Sequence, residues 1–286
     1  DILRLWVMNA DTNEDLRIGK TILEQQAELY RRLRNSLRWI LGGLDGFSEA
    51  ERVEHADMPE LERWVLHRLA ELDARIRGAV ASHDWSGVVP EIHGFCATDL
   101  SAFWFDIRKD ALYCDGADSL RRRAVRTVLD HLHRCLTTWL APVLPFTAEE
   151  AWRARFGEAA ASVHLELFPE IPAAWRDEAL AAKWNEVRGA RRRVTNALEL
   201  YRREGFIASS LQAFVGLGTD DEHWNLLAET EWADVFIVSS VQKVRDRNGE
   251  HVNVAPGTKC ERCWKVLPEV SPTHGLCRRC EGVVNP

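Results

Sequence analysis

The residues best suited to chemistry lie in "CERCWKVLPEVSPTHGLCRRC", residues 260–280. Cys260-x-x-Cys263 and Cys277-x-x-Cys280 are two knuckles separated by thirteen residues. Each knuckle can turn two sulfurs toward one point, and two knuckles complete a tetrahedron around zinc at about 2.3 Å per Zn–S bond. Four protein ligands leave no position for water, so the expected ion is structural. A module this short buries too little apolar surface to fold alone. Zinc, contributing roughly 10–16 kcal/mol in comparable peptides, would hold it. A pair of redox dithiols is the alternative reading of the same four cysteines, and His274 is a further possible ligand. Arg262, Trp264, Lys265, Arg278 and Arg279 lie in or beside the knuckles. Cations and an aromatic ring on a rigid loop suit single-stranded RNA. Trp264 would serve equally as a lid that shields the metal.

Other candidates are weaker. Asp99, Asp106 and Asp110 in "DLSAFWFDIRKD" are spread along a helix beside Arg108 and Lys109. They read as solvated or ion-paired surface carboxylates rather than an acid–base set. No P-loop, Gly-x-Ser-x-Gly or His-Glu-x-x-His motif occurs, and no catalytic residue is expected. Cys96, Cys114 and Cys135 sit among apolar residues and read as buried, reduced thiols. The cysteine usage points to a reducing, cytosolic compartment rather than a disulfide framework. No apolar run is long enough to span a membrane, and there is no signal peptide. The 286 residues carry a net charge of −7, which argues against a protein coated in positive charge. Local basic runs stand out nonetheless: "YRRLRNSLR" at 30–38, "RRR" at 121–123 and "RGARRR" at 188–193. Runs of this kind on helices are usually solvated faces; three of them beside the cysteine module favour RNA modestly.

The elements that must position these residues are mainly helical. Ile22, Leu29, Leu33, Leu37 and Leu41 recur at helical spacing up to Gly42-Gly43. Leu61, Val65, Leu69, Leu72, Ile76 and Val80 repeat the pattern. A third helix holds Ile92, Cys96, Leu100 and Phe103, with Pro90 in its first turn. A fourth holds Leu120, Val128, Leu132, Leu136 and Trp139 and ends at Pro142 and Pro145. "TAEE" then starts a helix, with Thr147 as cap and Glu150 reaching back. Together these helices form a bundle. From about residue 158 the pattern changes. "VHLELF" (163–168) alternates like a strand, and a long helix covers roughly 175–204. "LQAFVGL" and "VFIVSSV" are strand-like, with a short acidic, Trp-containing helix between them. Asn248-Gly249 signals a hairpin turn between two extended arms. Pro256-Gly257 separates this small α+β region from the cysteines.

Several stretches carry a family resemblance: "DLRIGKTIL", "YRRLRNSLRWILGGL", "FCATDLSAFWFDIRKDALYC", "TTWLAPVLPFTAEEAW", "VRGARRRVTNALELYRREGFIASSLQA" and the terminal "CERCW…CRRC". Together they resemble the C-terminal part of bacterial isoleucyl-tRNA synthetases, class I aminoacyl-tRNA synthetases. The chain opens at Asp1, and "DILRLWVMNA" reads as the interior of a longer protein, like the segment that follows that family's second ATP-binding signature. The resemblance implies a four-part organisation. Residues 1–20 would be the tail of the catalytic-core and stem-contact region, and 21–158 a helical-bundle anticodon-binding domain. Residues 159–256 would form a small α+β junction domain, and 257–286 the zinc-binding module. It implies that the full-length enzyme joins isoleucine to its tRNA, with ATP used in a catalytic domain outside this sequence. Neither class I catalytic signature occurs here, so this chain alone should be inactive. Its partner would be the anticodon arm of isoleucine tRNA, in the cytoplasm, with the protein a monomer. Arg31, Arg34, Arg38, Arg262 and Trp264 are the expected tRNA contacts, and Cys260, Cys263, Cys277 and Cys280 the zinc ligands. The alternative is a free-standing synthetase-like tRNA-binding module, or a zinc-ribbon protein-interaction module, without ligase activity.

Overall fold

The computed structural model describes residues 1–10, 15–85, 87–218, 225–244, 250–271 and 273–285. The chain divides into two compact units. The first is Asp1–Asp106 with Asp118–Asp177, and the second is Ile107–Ala117 with Glu178–Pro286. Most described residues are helical. No described helix is long and apolar enough to cross a membrane.

The first unit is a helical bundle. Its helices are α1 (Ile2–Asn9), α2 (Lys20–Gly43), α3 (Glu60–Ser82) and α4 (Val88–Gly94). A π-helical stretch, Phe95–Phe105, follows α4 and leads into α5 (Asp106–Cys114), which from Ile107 onward belongs to the second unit. After these come α6 (Leu120–Leu140) and α7 (Pro145–Phe156). On α2 the buried residues Leu33, Leu37 and Ile40 recur one turn apart, the stripe an amphipathic helix needs. From Ala124 to Leu140 almost every residue of α6 is buried, so this helix forms the middle of the bundle. Val80 and Leu120, expected in the core, are at helix ends and exposed.

The ordinary helical period expected over residues 92–103 gives way to the wider π winding. Phe103, Trp104 and Phe105 are consecutive and all buried, because this stretch is enclosed from several sides. Trp64 of α3 meets Phe103 edge-on at 5.4 Å, and Trp39 of α2 stacks on Phe105 at 3.8 Å. Trp104 Nε1–H donates to the buried Glu62 carboxylate at 2.9 Å.

Two local expectations fail in this unit. The helix after the proline pair starts at Pro145, whose missing N–H suits the first helical position. Thr147 does not cap it. The Asp1 carboxylate does that work from across the bundle, accepting from the Thr147 N–H at 2.9 Å and from its hydroxyl at 2.5 Å. Glu150 turns to Arg34 instead. The second failure is "VHLELF", which is not a strand. Val163–Leu165 is a single 3₁₀ turn, and residues 166–168 join no ladder among the described residues. Glu149 satisfies the Val163 N–H and the Ser162 hydroxyl at 2.9 Å each. Only Val163 is buried, while Leu165 and Leu167 stand in solvent.

The second unit contains α5 from Ile107 onward, α8 (Glu178–Arg203), α9 (Glu229–Phe236) and α10 (Arg278–Val284). Its strands are β1 (Ala213–Gly218), β2 (Ser240–Val244), β3 (Glu250–Val254), β4 (Thr258–Lys259) and β5 (Val266–Leu267). Three of them form a sheet of order β2-β1-β3. Val215 of β1 pairs with Val241 in the parallel ladder and with Val252 in the antiparallel one. The arms around Asn248-Gly249 therefore lie on opposite sides of β1 and do not form a hairpin; the turn itself falls outside the described residues. "VFIVSSV" is divided, because Val235 and Phe236 finish α9 and only the residues from Ser240 join the sheet. Trp184, Val187, Val194 and Leu198 form the buried side of α8, which packs on β3 and α9.

A titration follows from the bundle core. His133 on α6 is fully buried, and its Nε2 lies 3.0 Å from the Ala151 carbonyl. Nδ1 has no partner among the described residues. Burial pushes the imidazole down to about 4. The unfolded chain takes up a proton near pH 6.5 that the folded state refuses until about pH 4. Stability present above pH 6.5 is therefore lost as pH falls through that window. Between pH 7.5 and 5 this residue should cost about 2 kcal/mol. Urea titrations at both pH values should show a clearly smaller loss in His133→Gln; identical losses would exclude His133 as the origin.

Candidate metal centre and nucleic-acid interface

The four knuckle cysteines are brought together. All are buried and their sulfurs lie within 4.8 Å of one another. Local structure explains how. β4 and β5 pair antiparallel, Lys259 against Val266, and the first knuckle is the tip of that hairpin. The Cys260 N–H donates to the Lys265 carbonyl at 2.8 Å and the Trp264 N–H returns to the Cys260 carbonyl at 2.9 Å. The tip closes only with Trp264 in the left-handed region, φ +65°. Gly257 precedes the hairpin at φ +117°, and a Cβ there would lie 2.4 Å from the Leu267 backbone. In the second knuckle, Cys277 is the N-terminal flank of α10 and Cys280 lies in its first turn, so their spacing puts both sulfurs on one helix face. The Glu261 N–H donates to the Gly275 carbonyl at 2.9 Å and joins the two knuckles.

The donor set fits a tetrahedral ion. Cys263 Sγ and Cys277 Sγ are 3.7 Å apart, and four sulfurs around zinc at 2.3 Å stand about 3.8 Å from one another. Burial pushes the Cys260 thiol up, but backbone N–H groups of Cys263, Cys277 and Arg262 outweigh it and bring it down to about 6. Burial and the neighbouring sulfurs hold Cys263 well above the usual thiol range, and burial with the Cys277 sulfur takes Cys280 to about 11. So crowded a group ionises together only around a cation. These residues could hold a metal ion.

The module is fastened to α5 and to the sheet by residues that spacing alone does not reveal. Arg262 donates to the carbonyls of Cys114 (2.7 Å) and Tyr113 (3.2 Å), a cation on the open C-terminal end of α5. Arg279 grips both Asp110 oxygens, at 2.5 and 2.8 Å, and reaches Asp115 at 3.3 Å. Lys265 pairs with Asp234 at 2.9 Å. The Ser239 hydroxyl accepts from the Val266 N–H at 2.6 Å. Cys114, expected as an unrelated buried thiol, packs in the same cluster as the four ligand cysteines. It is a free thiol, as are Cys96 and Cys135, and burial pushes it up to about 11.

The remaining site candidates fall into two groups. Arg31, Arg34 and Arg38 lie on α2 in the first unit, all exposed. Arg31 is paired with Glu28. Arg34 binds Glu150 through two hydrogen bonds of 2.6 Å, and this holds the Glu150 carboxyl below its usual range. Arg38 has no ion-pair partner among the described residues. Arg34 and Arg38 border a cavity of about 210 Å³ between α2 and α7, floored by Leu37, Leu41, Ala151 and Ala154. Arg262 and Trp264 belong to the second unit. Trp264 is 59% exposed, with Lys259 Nζ 5.4 Å from its ring centre, so it does not close over the sulfurs. Asp99 and Asp110 are ion-paired, as expected, but Asp99 is not at the surface. It is buried against Arg68 at 3.2 Å.

Residues 62–216, from α3 to β1, match the family described as the anticodon-binding domain of tRNA ligases. The chain belongs to that family. An isoleucine–tRNA ligase of Gluconobacter oxydans (strain 621H) is 56% identical over 293 residues, spanning all of this chain and 30% of the relative. Those of Ruegeria pomeroyi and Zymomonas mobilis are 48% and 44% identical, each covering 99% of this chain and 31% of their own length. The chain thus spans less than a third of the length of these curated relatives. The family match runs from α3 through α8 into β1, leaves out α1 and α2, and stops before the cysteine module; the matches to whole relatives run through all of these.

The grip of Arg279 on α5 should be measurable. Asp110 and Asp115 are 25% and 6% exposed at their side chains, and removing the guanidinium leaves both without it. Arg279→Met should cost about 2 kcal/mol and speed hydrogen exchange at residues 107–117 and 278–284. Unchanged exchange in both segments would show that the pair contributes nothing.

Proposed function

We propose that this chain is the part of an isoleucine–tRNA ligase that grips the anticodon arm of isoleucine tRNA, in the cytoplasm. The match of residues 62–216 to the anticodon-binding family carries this reading. The close relatives named as isoleucine–tRNA ligases direct it to isoleucine. Ligation of isoleucine to tRNA with ATP is the activity of the whole enzyme in this proposal. The share of this chain is binding, since it contains neither class I catalytic signature. The four-part division at residues 20, 158 and 256 belongs to the same proposal, as does a monomeric state.

On α2, Arg31, Arg34 and Arg38 supply cations at one-turn intervals for RNA phosphates. The cavity beside Arg34 and Arg38 offers apolar walls to a splayed base. Arg34 must exchange Glu150 for its phosphate. In the knuckle, Trp264 presents a ring to an unstacked base. Arg262 adds positive charge there while its N–H groups hold α5. Cys260, Cys263, Cys277 and Cys280 would bind zinc, which supplies a structural cross-link when bound. The N–H groups around Cys260 and the hairpin pairing keep the ring and the cations in one geometry.

Two measurements test this. Binding of an isoleucine tRNA transcript should weaken steeply with salt. Arg38→Ala should reduce the salt slope by about 0.7–0.9, and Glu150→Gln should tighten binding by freeing Arg34. A salt-independent affinity, or indifference to both changes, would defeat the α2 assignment. For the metal, elemental analysis of reduced protein should give about one zinc per chain. Cys277→Ser should lower that content and open residues 258–284 to hydrogen exchange. Metal-free protein with fully protected knuckles would rule the zinc assignment out.

A further inference from the structure

The solvent side of α8 is a basic surface outside both clusters just described. Between Arg188 and Arg203 this helix carries six arginines against a single acid, Glu199, in a chain whose net charge is −7. Glu199 is itself neutralised by Arg202 at 2.6 Å. The helix buries Trp184, Val187, Ala190, Val194 and Leu198. The opposite stripe, at spacings of three and four, reads Asn185, Gly189, Arg192, Asn196, Glu199 and Arg203. It holds no apolar side chain. Arg192 and Arg203 are exposed and, at 1.5 Å per residue, about 16 Å apart along the axis.

Gly189 is the informative member of the stripe. A glycine inside a helix costs about 1 kcal/mol relative to alanine, and packing among the described residues does not require one here. A Cβ at Gly189 would meet nothing within 4 Å among the described residues. The missing side chain leaves bare helix backbone on the solvent side, one turn from Arg192 and next to Arg188. That arrangement lets a second molecule approach the helix axis closely between two cations.

We infer that this face of α8 docks the sugar–phosphate backbone of an RNA stem, with Gly189 at the closest approach. Arg192 and Arg203 meet phosphates, while the amides of Asn185 and Asn196 are suited to 2′-hydroxyls. RNA is favoured over an acidic protein surface because the stripe combines cations with uncharged donors and offers no apolar anchor. The inference rests on the tRNA-binding reading above and adds to it a separate surface that holds the stem while other residues engage the loop.

The test is tRNA binding by the full chain at two salt concentrations, using an isoleucine tRNA transcript. Gly189→Leu adds bulk without charge and raises helix propensity, so the fold is retained. It should weaken binding about fivefold or more with little change in salt slope. Arg192→Glu with Arg203→Glu should weaken it about tenfold or more and flatten the slope by about two phosphate contacts. A 12-base-pair RNA duplex should compete better than the DNA duplex of the same sequence. Wild-type affinity in both variants, while Arg38→Ala still weakens binding, would overturn the α8 surface and leave the tRNA reading standing. Equal competition by the two duplexes would reduce the surface to a non-specific polyanion contact and overturn its fit to RNA. No measurable RNA binding by the unaltered chain would overturn both.

Discussion

A charge taken out of water needs a counter-charge beside it, and this requirement governs much of what the protein can offer a partner. Asp130 is 1% exposed at its side chain and is met by Arg52, Arg134 and Arg155. Glu51 and the carbonyls of Gly43 and Asp45 occupy Arg126. Asp110 and Asp115 occupy Arg279, and the carbonyls ending α5 occupy Arg262. In the cysteine module the same rule works with the opposite sign, because four crowded sulfurs call for a cation. An arginine already paired within the fold, as Arg34 is with Glu150, must give up that partner to meet another molecule.

This is also where the sequence was least legible. A run of arginines has the same appearance whether it neutralises buried acids or faces solvent. Arg262 and Arg279 both sit within knuckles, yet each is turned toward α5, and the carboxylates and carbonyls that turn them lie about 150 or more positions away in the chain. The cysteine geometry, by contrast, could be anticipated, since two short spacings determine how four sulfurs converge. The bundle helices could be anticipated too, because Leu33, Leu37 and Ile40, or Leu69, Leu72 and Ile76, mark one face by periodicity alone. Period was misleading where a segment had alternation but no partner. "VHLELF" has a strand's pattern, yet Glu149 and the 3₁₀ turn satisfy its first backbone groups and no ladder forms. Asn-Gly misled for a related reason. A turn signal gives the local bend, not which strand the next segment will pair with, and β1 took the position between the two arms.

The two units handle polar burial differently. The bundle hides single polar groups inside an apolar interior, such as Glu62 against Trp104 and His133 against the Ala151 carbonyl. The second unit has less apolar depth, and ties its cysteine hairpin down with polar links from Ser239, Asp234, Asp110 and Asp115. A small module with few buried hydrocarbons gains rigidity in this way without a core of its own. Trp264 shows the result, a large ring held outward by a backbone turn that a side chain of its size seldom adopts.

The order β2-β1-β3 leaves a ladder edge open on each outer strand among the described residues. Such edges invite strands from other molecules. Here Gln242 and Lys243 on β2 and Asn253 on β3 project into solvent, and both strands are only five residues long. A strand approaching from another molecule would have to desolvate an amide or an ammonium before its first pairing bond. Resistance to edge-to-edge aggregation is therefore built into the same short strands that flank β1.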